Sequence, residues 1–307
     1  VPLLVFDDPD MELHEPGWGH PERPDRLRAA RAAASSVPGL IWRRPKFASR
    51  DDLLRVHDRA YVDALLALHG ETRQLDADTA VSPGSVRAAL LAAGAVQDAV
   101  DAVIDGPDRR ALCLVRPPGH HATADRAAGF CLLNNVVVGA SRALRRGLGR
   151  IAILDWDVHH GDGTQALVQD HPGVLFVSLH EGFGAWPGTG SAEEVGPHGT
   201  LVNVPLREGA GHDEIVAAFD ARVGPALERF APELVLISAG FDAHAEDPLG
   251  TVAATEETFA ELTRRVVAVA ERHAGGRLVL VLEGGYFLPS LGRSLRACLE
   301  VLAQEPG

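Results

Sequence analysis

The stretch Ile151-Ala-Ile-Leu-Asp155-Trp-Asp157-Val-His159-His160-Gly-Asp162 decides how this chain folds. Residues 151–154 are apolar without a break, and such a run reads as a strand buried on both faces. Parallel sheets covered by helices produce strands of that kind. Similar runs recur at 3–6, 111–115, 174–179, 234–237 and 278–282. Between the runs, stretches of helical period lie at 85–104, about 134–146, 212–230, 255–273 and 288–302. Ser82-Pro83 precedes the first as a candidate cap, and Thr255-Glu-Glu-Thr258 opens the fourth with acids that suit a helix N-terminus. The pattern predicts an α/β fold with a central, mostly parallel sheet flanked by helices. No linker, repeat or low-complexity segment interrupts it, so residues 1–307 are expected to form one domain.

Four of the runs end on residues able to do chemistry. Run 111–115 leads into Arg116-Pro-Pro-Gly-His120-His121, and 151–154 into Asp155-Trp-Asp157-Val-His159-His160-Gly-Asp162. Run 234–237 leads into Ser238-Ala-Gly-Phe-Asp242, and 278–282 into Glu283-Gly-Gly-Tyr286. Open parallel sheets bind ligands outside the carboxyl ends of their strands. Four segments therefore deliver His, Asp and Tyr to one edge of one sheet. This pattern predicts a site.

Asp157 and His159 stand at i, i+2 on a strand end, where alternate side chains point the same way, so both can grip one metal ion. Asp242 supplies a third ligand and leaves a position open for water or substrate, as a catalytic site needs. Two carboxylates and an imidazole would neutralise a divalent cation. Zinc is the first choice, and the oxygen-rich set also suits Fe(II), Co(II) or Mn(II). His120 and His121 follow a rigid Pro-Pro-Gly turn and titrate near neutral pH; Asp155 and Asp162 are available to fix their tautomers. Tyr286 follows two glycines that let the loop turn sharply. Either its phenol stands over the cleft, or its ring belongs to the core beside Phe287.

Composition narrows the partners. The 307 residues carry 29 Lys+Arg against 42 Asp+Glu, a net charge of −13, which argues against a nucleic-acid binder and fits a cationic substrate. Cys113, Cys131 and Cys298 are odd in number and far apart, so a disulfide framework is not expected. Without a long apolar run or a signal-like N-terminus, the expectation is a cytoplasmic protein with no membrane partner.

Taken together, Arg116-Pro-Pro-Gly-His-His-Ala122, Gly129-Phe-Cys131, Asp155-Trp-Asp-Val-His-His-Gly161, Ser238-Ala-Gly-Phe-Asp-Ala243 and Glu283-Gly-Gly-Tyr286 resemble the motif series of the histone deacetylase family. The similarity is to class II enzymes and bacterial relatives, including acetylpolyamine amidohydrolases, and runs from about His14 to Tyr286. It implies an arginase-like three-layer fold and hydrolysis of N-acetylated amines. It also implies zinc on Asp157, His159 and Asp242, and a general acid/base pair of His120 and His121 backed by Asp155 and Asp162. Tyr286 becomes the electrophilic hydroxyl. Phe130 and Trp186, with Gly129 and Gly284, would line a narrow acyl-amine tunnel, and Arg26 would stand at an inner cavity. Structural potassium would sit near Asp155, Asp157, His159, Ser178 and Leu179. Hydroxamates, which chelate metal, become expected inhibitors.

Leu249 matches the position where polyamine-selective relatives place a glutamate; leucine there predicts a preference for acetyl-lysine over acetylpolyamine. Loop 11–24, with Glu12, Glu15 and Trp18, reads as an entrance rim along with Asp76 and Asp78, or else as solvated surface. The alternatives are an arginase- or agmatinase-like ureohydrolase with two manganese ions, and a non-catalytic acyl-lysine or polyamine binding module. The His-His tandem and the Glu-Gly-Gly-Tyr turn favour the deacetylase. A homo-oligomer is compatible with the sequence.

Overall fold

The computed structural model describes residues 2–182 and 184–304. In chain order the strands are β1 (Leu3–Phe6), β2 (Leu40–Arg43), β3 (Arg73–Gln74), β4 (Ala80–Val81), β5 (Arg110–Cys113), β6 (Ile151–Asp155), β7 (Val174–Glu181), β8 (Leu201–Leu206), β9 (Leu234–Ala239) and β10 (Leu278–Leu282). β3 and β4 form a small antiparallel pair; the other eight make one sheet in the order β2-β1-β5-β10-β9-β6-β7-β8. Every pairing in that sheet is parallel. The interior strands β5, β6, β9 and β10 are buried at every residue, as their unbroken apolar runs require.

The two edge strands, β2 and β8, escape the pattern of apolar runs for physical reasons. β2 reads Leu-Ile-Trp-Arg and is largely exposed, while β8 is interrupted by Asn203 and Pro205. Proline is tolerated in a sheet mainly at its edge, where no partner needs the missing N–H.

Helices flank the sheet. Helices Ser85–Asp105, Asn135–Arg145, Glu256–His273 and Leu288–Leu302 lie where the helical period places them. Pro24–Ser35, Arg59–Ala67 and Asp162–Val168 are additional helices that the period does not predict. The stretch 212–230 divides into His212–Ala218 and Gly224–Phe230 around a π-helical turn at Phe219–Val223. Pro225 cannot donate to the preceding turn, and a π turn is one way to absorb that loss. Thr255 does open its helix, with its N–H donating to Thr258 Oγ1 at 3.1 Å. Ser82 does not cap: Gly84 holds the N-cap position, and Ser82 Oγ instead accepts from Glu15 N–H at 2.9 Å.

Topology then places the site. β5, β10, β9 and β6 are the four middle strands in consecutive order, so the loops at their carboxyl ends are neighbours. These are the four loops that carry the chemically able residues.

Candidate active site

Asp157, His159 and Asp242 meet at the carboxyl edge, their ligand atoms all within 4.8 Å of one another. Both carboxylates are buried, at 1% and 0% exposure. Backbone amides orient them: Asp157 Oδ2 accepts from Gly284 N–H at 2.8 Å, and Asp242 Oδ1 from Val158 N–H at 2.9 Å. Asp242 Oδ2 is buried without a hydrogen-bond partner. It faces His159 Nδ1 at 3.4 Å, and that nitrogen also lies 3.2 Å from Asp157 Oδ1. Burial and the neighbouring Asp157 charge push the Asp242 carboxyl up to about 7. Burial opposes charge on His159, but the two carboxylates outweigh it and raise the ring to about 10. An orphaned oxygen and two buried acids around one imidazole fit a divalent cation. The donor set is one such a cation can use. Gly284 is needed here: a Cβ would collide with Asp242 Oδ2 and Asp157 Oδ2.

The histidine tandem stands beside this centre. His120 Nδ1 contacts Asp155 Oδ2 at 2.9 Å, and His121 Nδ1 contacts Asp162 Oδ1 at 2.7 Å. The ring centroids are 3.9 Å apart, and His120 Nε2 reaches to 3.7 Å from Asp157 Oδ1. Their environments diverge. Burial disfavours a charged His120, yet Asp155 and Asp157 outweigh it and hold the ring well above its ordinary value. Burial and the His120 charge push His121 down to about 3.

Aromatic rings wall the space above. Trp186 packs edge-on against His121 and His159, with centroids at 4.5 and 5.8 Å. Opposite, Phe130 meets Tyr286 at 5.8 Å and His20 at 4.7 Å. Gly129 has a φ of 52°, and a Cβ there would strike the rings of His121 and Trp186. Tyr286 is half-buried and faces this space, so it is not a core aromatic. Burial, reinforced by Asp242 and Asp157 against the pull of Arg26, holds its phenol well above the ordinary value.

Arg26 lies directly behind that tyrosine, fully buried, with its guanidinium 4.9 Å from the ring centroid. Its Nε donates to Gly285 O at 2.6 Å, its Nη2 to Glu283 O, and its Nη1 to Glu22 Oε1 at 3.0 Å. Asp155 and Ser178 are register partners on adjacent strands, with Leu179 next along β7. Ser178 Oγ donates to His180 Nδ1 at 2.9 Å. Leu249, 37% exposed, follows Asp247, whose Oδ2 accepts from Tyr286 N–H at 2.6 Å and Phe287 N–H at 3.0 Å.

The rim residues separate. Glu12 pairs with Arg28 and Arg31, and Asp76 Oδ1 accepts from the amides of Asp78 and Thr79 inside its own turn. Trp18 is fully exposed. Asp78 does lie by the site: its carbonyl accepts from His20 Nε2 at 3.1 Å, and Thr79 Oγ1 accepts from Phe130 N–H at 3.0 Å. Three acids to which the sequence assigns no role also hold the site together: Glu22, Asp247 and Glu283. Glu22 binds Arg116 in a buried bidentate pair, at 2.5 and 2.8 Å. The arginine in Arg116-Pro-Pro-Gly was the available signal, since a buried guanidinium needs an acid.

Comparison with known proteins agrees with this architecture. A histone deacetylase domain model matches residues 20–302. A histone deacetylase-like amidohydrolase of Pseudomonas aeruginosa is 44% identical over 87% of this chain and 73% of its own length. A probable deacetylase of Archaeoglobus fulgidus is 41% identical, covering 92% and 80%. The human polyamine deacetylase HDAC10 is 40% identical over 99% of this chain and 46% of its own length. The crystal structure of the HDA15 HD domain superposes with a TM-score of 0.93 at 39% identity, over 98% of this chain and 89% of that one. With the motifs in order along the chain and their residues gathered at one sheet edge, this protein belongs to the histone deacetylase family and is an amidohydrolase/deacetylase.

Proposed function

We propose that this deacetylase uses one zinc ion, held by Asp157, His159 and Asp242, to hydrolyse the acetyl amide of acetyl-lysine side chains. The observation that carries the reading is the unpartnered, buried Asp242 Oδ2 facing His159 and Asp157, beside two carboxylate-backed histidines. When bound, zinc supplies Lewis-acid polarisation of the amide carbonyl. His121, kept neutral and oriented by Asp162, takes a proton from the attacking water and returns one to the departing nitrogen. His120, held charged by Asp155, supplies fixed positive charge beneath the reacting centre. Tyr286 donates its phenolic hydrogen to the developing oxyanion. Phe130 and Trp186 guide the extended acyl-amine chain, with Gly129 and Gly284 leaving room for the rings and the ligand carboxylates. A potassium ion near Asp155, Asp157, His159, Ser178 and Leu179 would stiffen the strand end, and the protein would work in the cytoplasm.

A polyamine substrate is the second reading, favoured by the human relative's name and by a net charge of −13. Charge at a distance is screened beyond about 8 Å at physiological salt, so a local contact should decide. Leu249 offers none to a secondary ammonium. Kinetics on an acetyl-lysine peptide and on acetylspermidine, with metal content measured on the same sample, test both readings. The expected result is one zinc per chain and a higher kcat/KM on the peptide. Leu249→Glu should move the ratio toward the polyamine by about tenfold. A wild type already favouring acetylspermidine tenfold would remove the acetyl-lysine assignment; two manganese ions with arginine or agmatine cleaved would remove the deacetylase mechanism.

A further inference from the structure

One carboxylate outside the metal ligands ties the site's loops together. Glu283, which opens the Glu283-Gly-Gly-Tyr286 turn, is fully buried. Its Oε2 accepts from Gly119 N–H at 2.7 Å and from His120 N–H at 3.3 Å. Its Oε1 accepts from the Ser238 hydroxyl at 3.1 Å. The described partners of this carboxylate are hydrogen-bond donors, with no lysine or arginine at its oxygens; Arg26 reaches only its backbone carbonyl. Burying a carboxylate is costly, and burial pushes this one up to about 7 against the pull of the neighbouring His120 charge.

The bonds are placed where they matter. Gly119 and His120 are the residues from which the His120-His121 tandem projects, and Tyr286 lies three residues beyond Glu283. Ser238 is the register partner of Asp155, the acid that holds His120. The carboxylate thus joins the histidine loop to the tyrosine turn, and both to the strand pair that orients His120.

We infer that Glu283 is a positioning residue: by clamping the Gly119–His120 backbone it sets where the two histidines stand relative to Tyr286. The inference rests on the deacetylase reading above. Geometry, rather than charge, is the working property. A neutral side chain of the same length should therefore serve, and a charged one that is too short should not.

Two variants separate these properties. Glu283→Gln keeps the reach, offers an amide oxygen to the two N–H groups and turns its NH2 to Ser238 Oγ. Glu283→Asp keeps the charge and withdraws it by one methylene. In the zinc-loaded full chain, Glu283→Gln should hold kcat within about threefold of wild type, while Glu283→Asp should lose about twentyfold, because small displacements of reacting groups are expensive. KM should stay within about twofold in both, the mark of lost alignment rather than lost binding. Equal activity of Glu283→Asp and wild type overturns the inference, as does a loss in Glu283→Gln as large as in Glu283→Asp. Ser238→Ala frees one carboxylate oxygen without touching the turn, and should lower kcat about threefold at unchanged KM. Unchanged kcat there overturns the inference even if Glu283→Asp does not fold. A wild type inactive on every acetyl amide removes the deacetylase reading and this inference with it. An active wild type with a fully active Glu283→Asp removes this inference alone.

Discussion

The Tyr286 ring packs against Phe130 and under the Arg26 guanidinium. Its backbone N–H is held by Asp247. Position is thus secured without the phenolic oxygen, as the proposed role of that oxygen in binding an oxyanion requires. Tyr286→Phe should therefore fold and bind metal as the wild type does, and lower kcat by about a hundredfold, the usual effect of losing one oxyanion donor. Kinetics with elemental analysis check this. Retention of half the wild-type kcat would return Tyr286 to a packing role. Residues of this kind are legible in sequence because their type announces their chemistry: Asp157, His159, Asp242 and the histidine tandem could be named before any coordinates. The work of Glu283 and Asp247 could not be read in that way. Each works on backbone amides of distant loops (Glu283 on Gly119, Asp247 on Tyr286), and an amide leaves no mark in a sequence that shows which acid will bind it.

Elements show the same division. The six apolar runs became strands because burial on both faces demands unbroken apolar residues, whereas β2 and β8 carry edge exposure and a proline that erase the signal. Loops depend on contacts that no period encodes, and His57 is an example. It is 3% exposed, accepts from Asn134 N–H through Nε2 at 3.1 Å, and donates through Nδ1 to Thr123 O at 2.7 Å. Asn134 caps helix Asn135–Arg145, so this ring joins the loop bearing Ala122–Thr123 to a helix start. Burial pushes His57 down to about 4 from 6.5. The sign follows directly. Above pH 6.5 the ring is neutral in both folded and unfolded chains, and its bonds contribute fully. As pH falls from 6.5 toward 4, the unfolded chain takes up a proton that the folded one refuses, and stability is lost. The loss at pH 4.5 is about 2.5 kcal/mol, or on the order of 4 °C in Tm. His57→Gln should show a correspondingly smaller drop in Tm between pH 7 and pH 4.5. An identical drop would show that other buried histidines, such as His180, dominate.

At the scale of the whole molecule, the sheet order puts four polar loops side by side, and the chain must fold around the charges they carry. Asp157 and Asp242 are brought together in a buried place, in a protein already at −13. Without a bound metal ion, the positive partner both share among the described residues is the His159 ring. That arrangement weakens the metal-free fold, and a bound dication should return the stability. Any ligand that binds only the folded state stabilises it by RT ln(1 + [L]/Kd), about 4 kcal/mol at a thousandfold excess over Kd. For a chain of this size the shift in Tm should be on the order of 5–10 °C. Thermal melts of chelator-stripped protein, with and without added zinc, measure it. Asp242→Asn supplies the control, with two opposite effects expected. It removes one of the two repelling carboxylates, so the stripped variant should melt at or above the stripped wild type. It also removes a ligand, so added zinc should shift it little. A zinc-induced shift of the same size in Asp242→Asn would mean that the stabilising cation binds elsewhere. A stripped variant melting well below the stripped wild type would mean that Asp242 holds the fold through its bond to the Val158 amide, with the charge arrangement secondary.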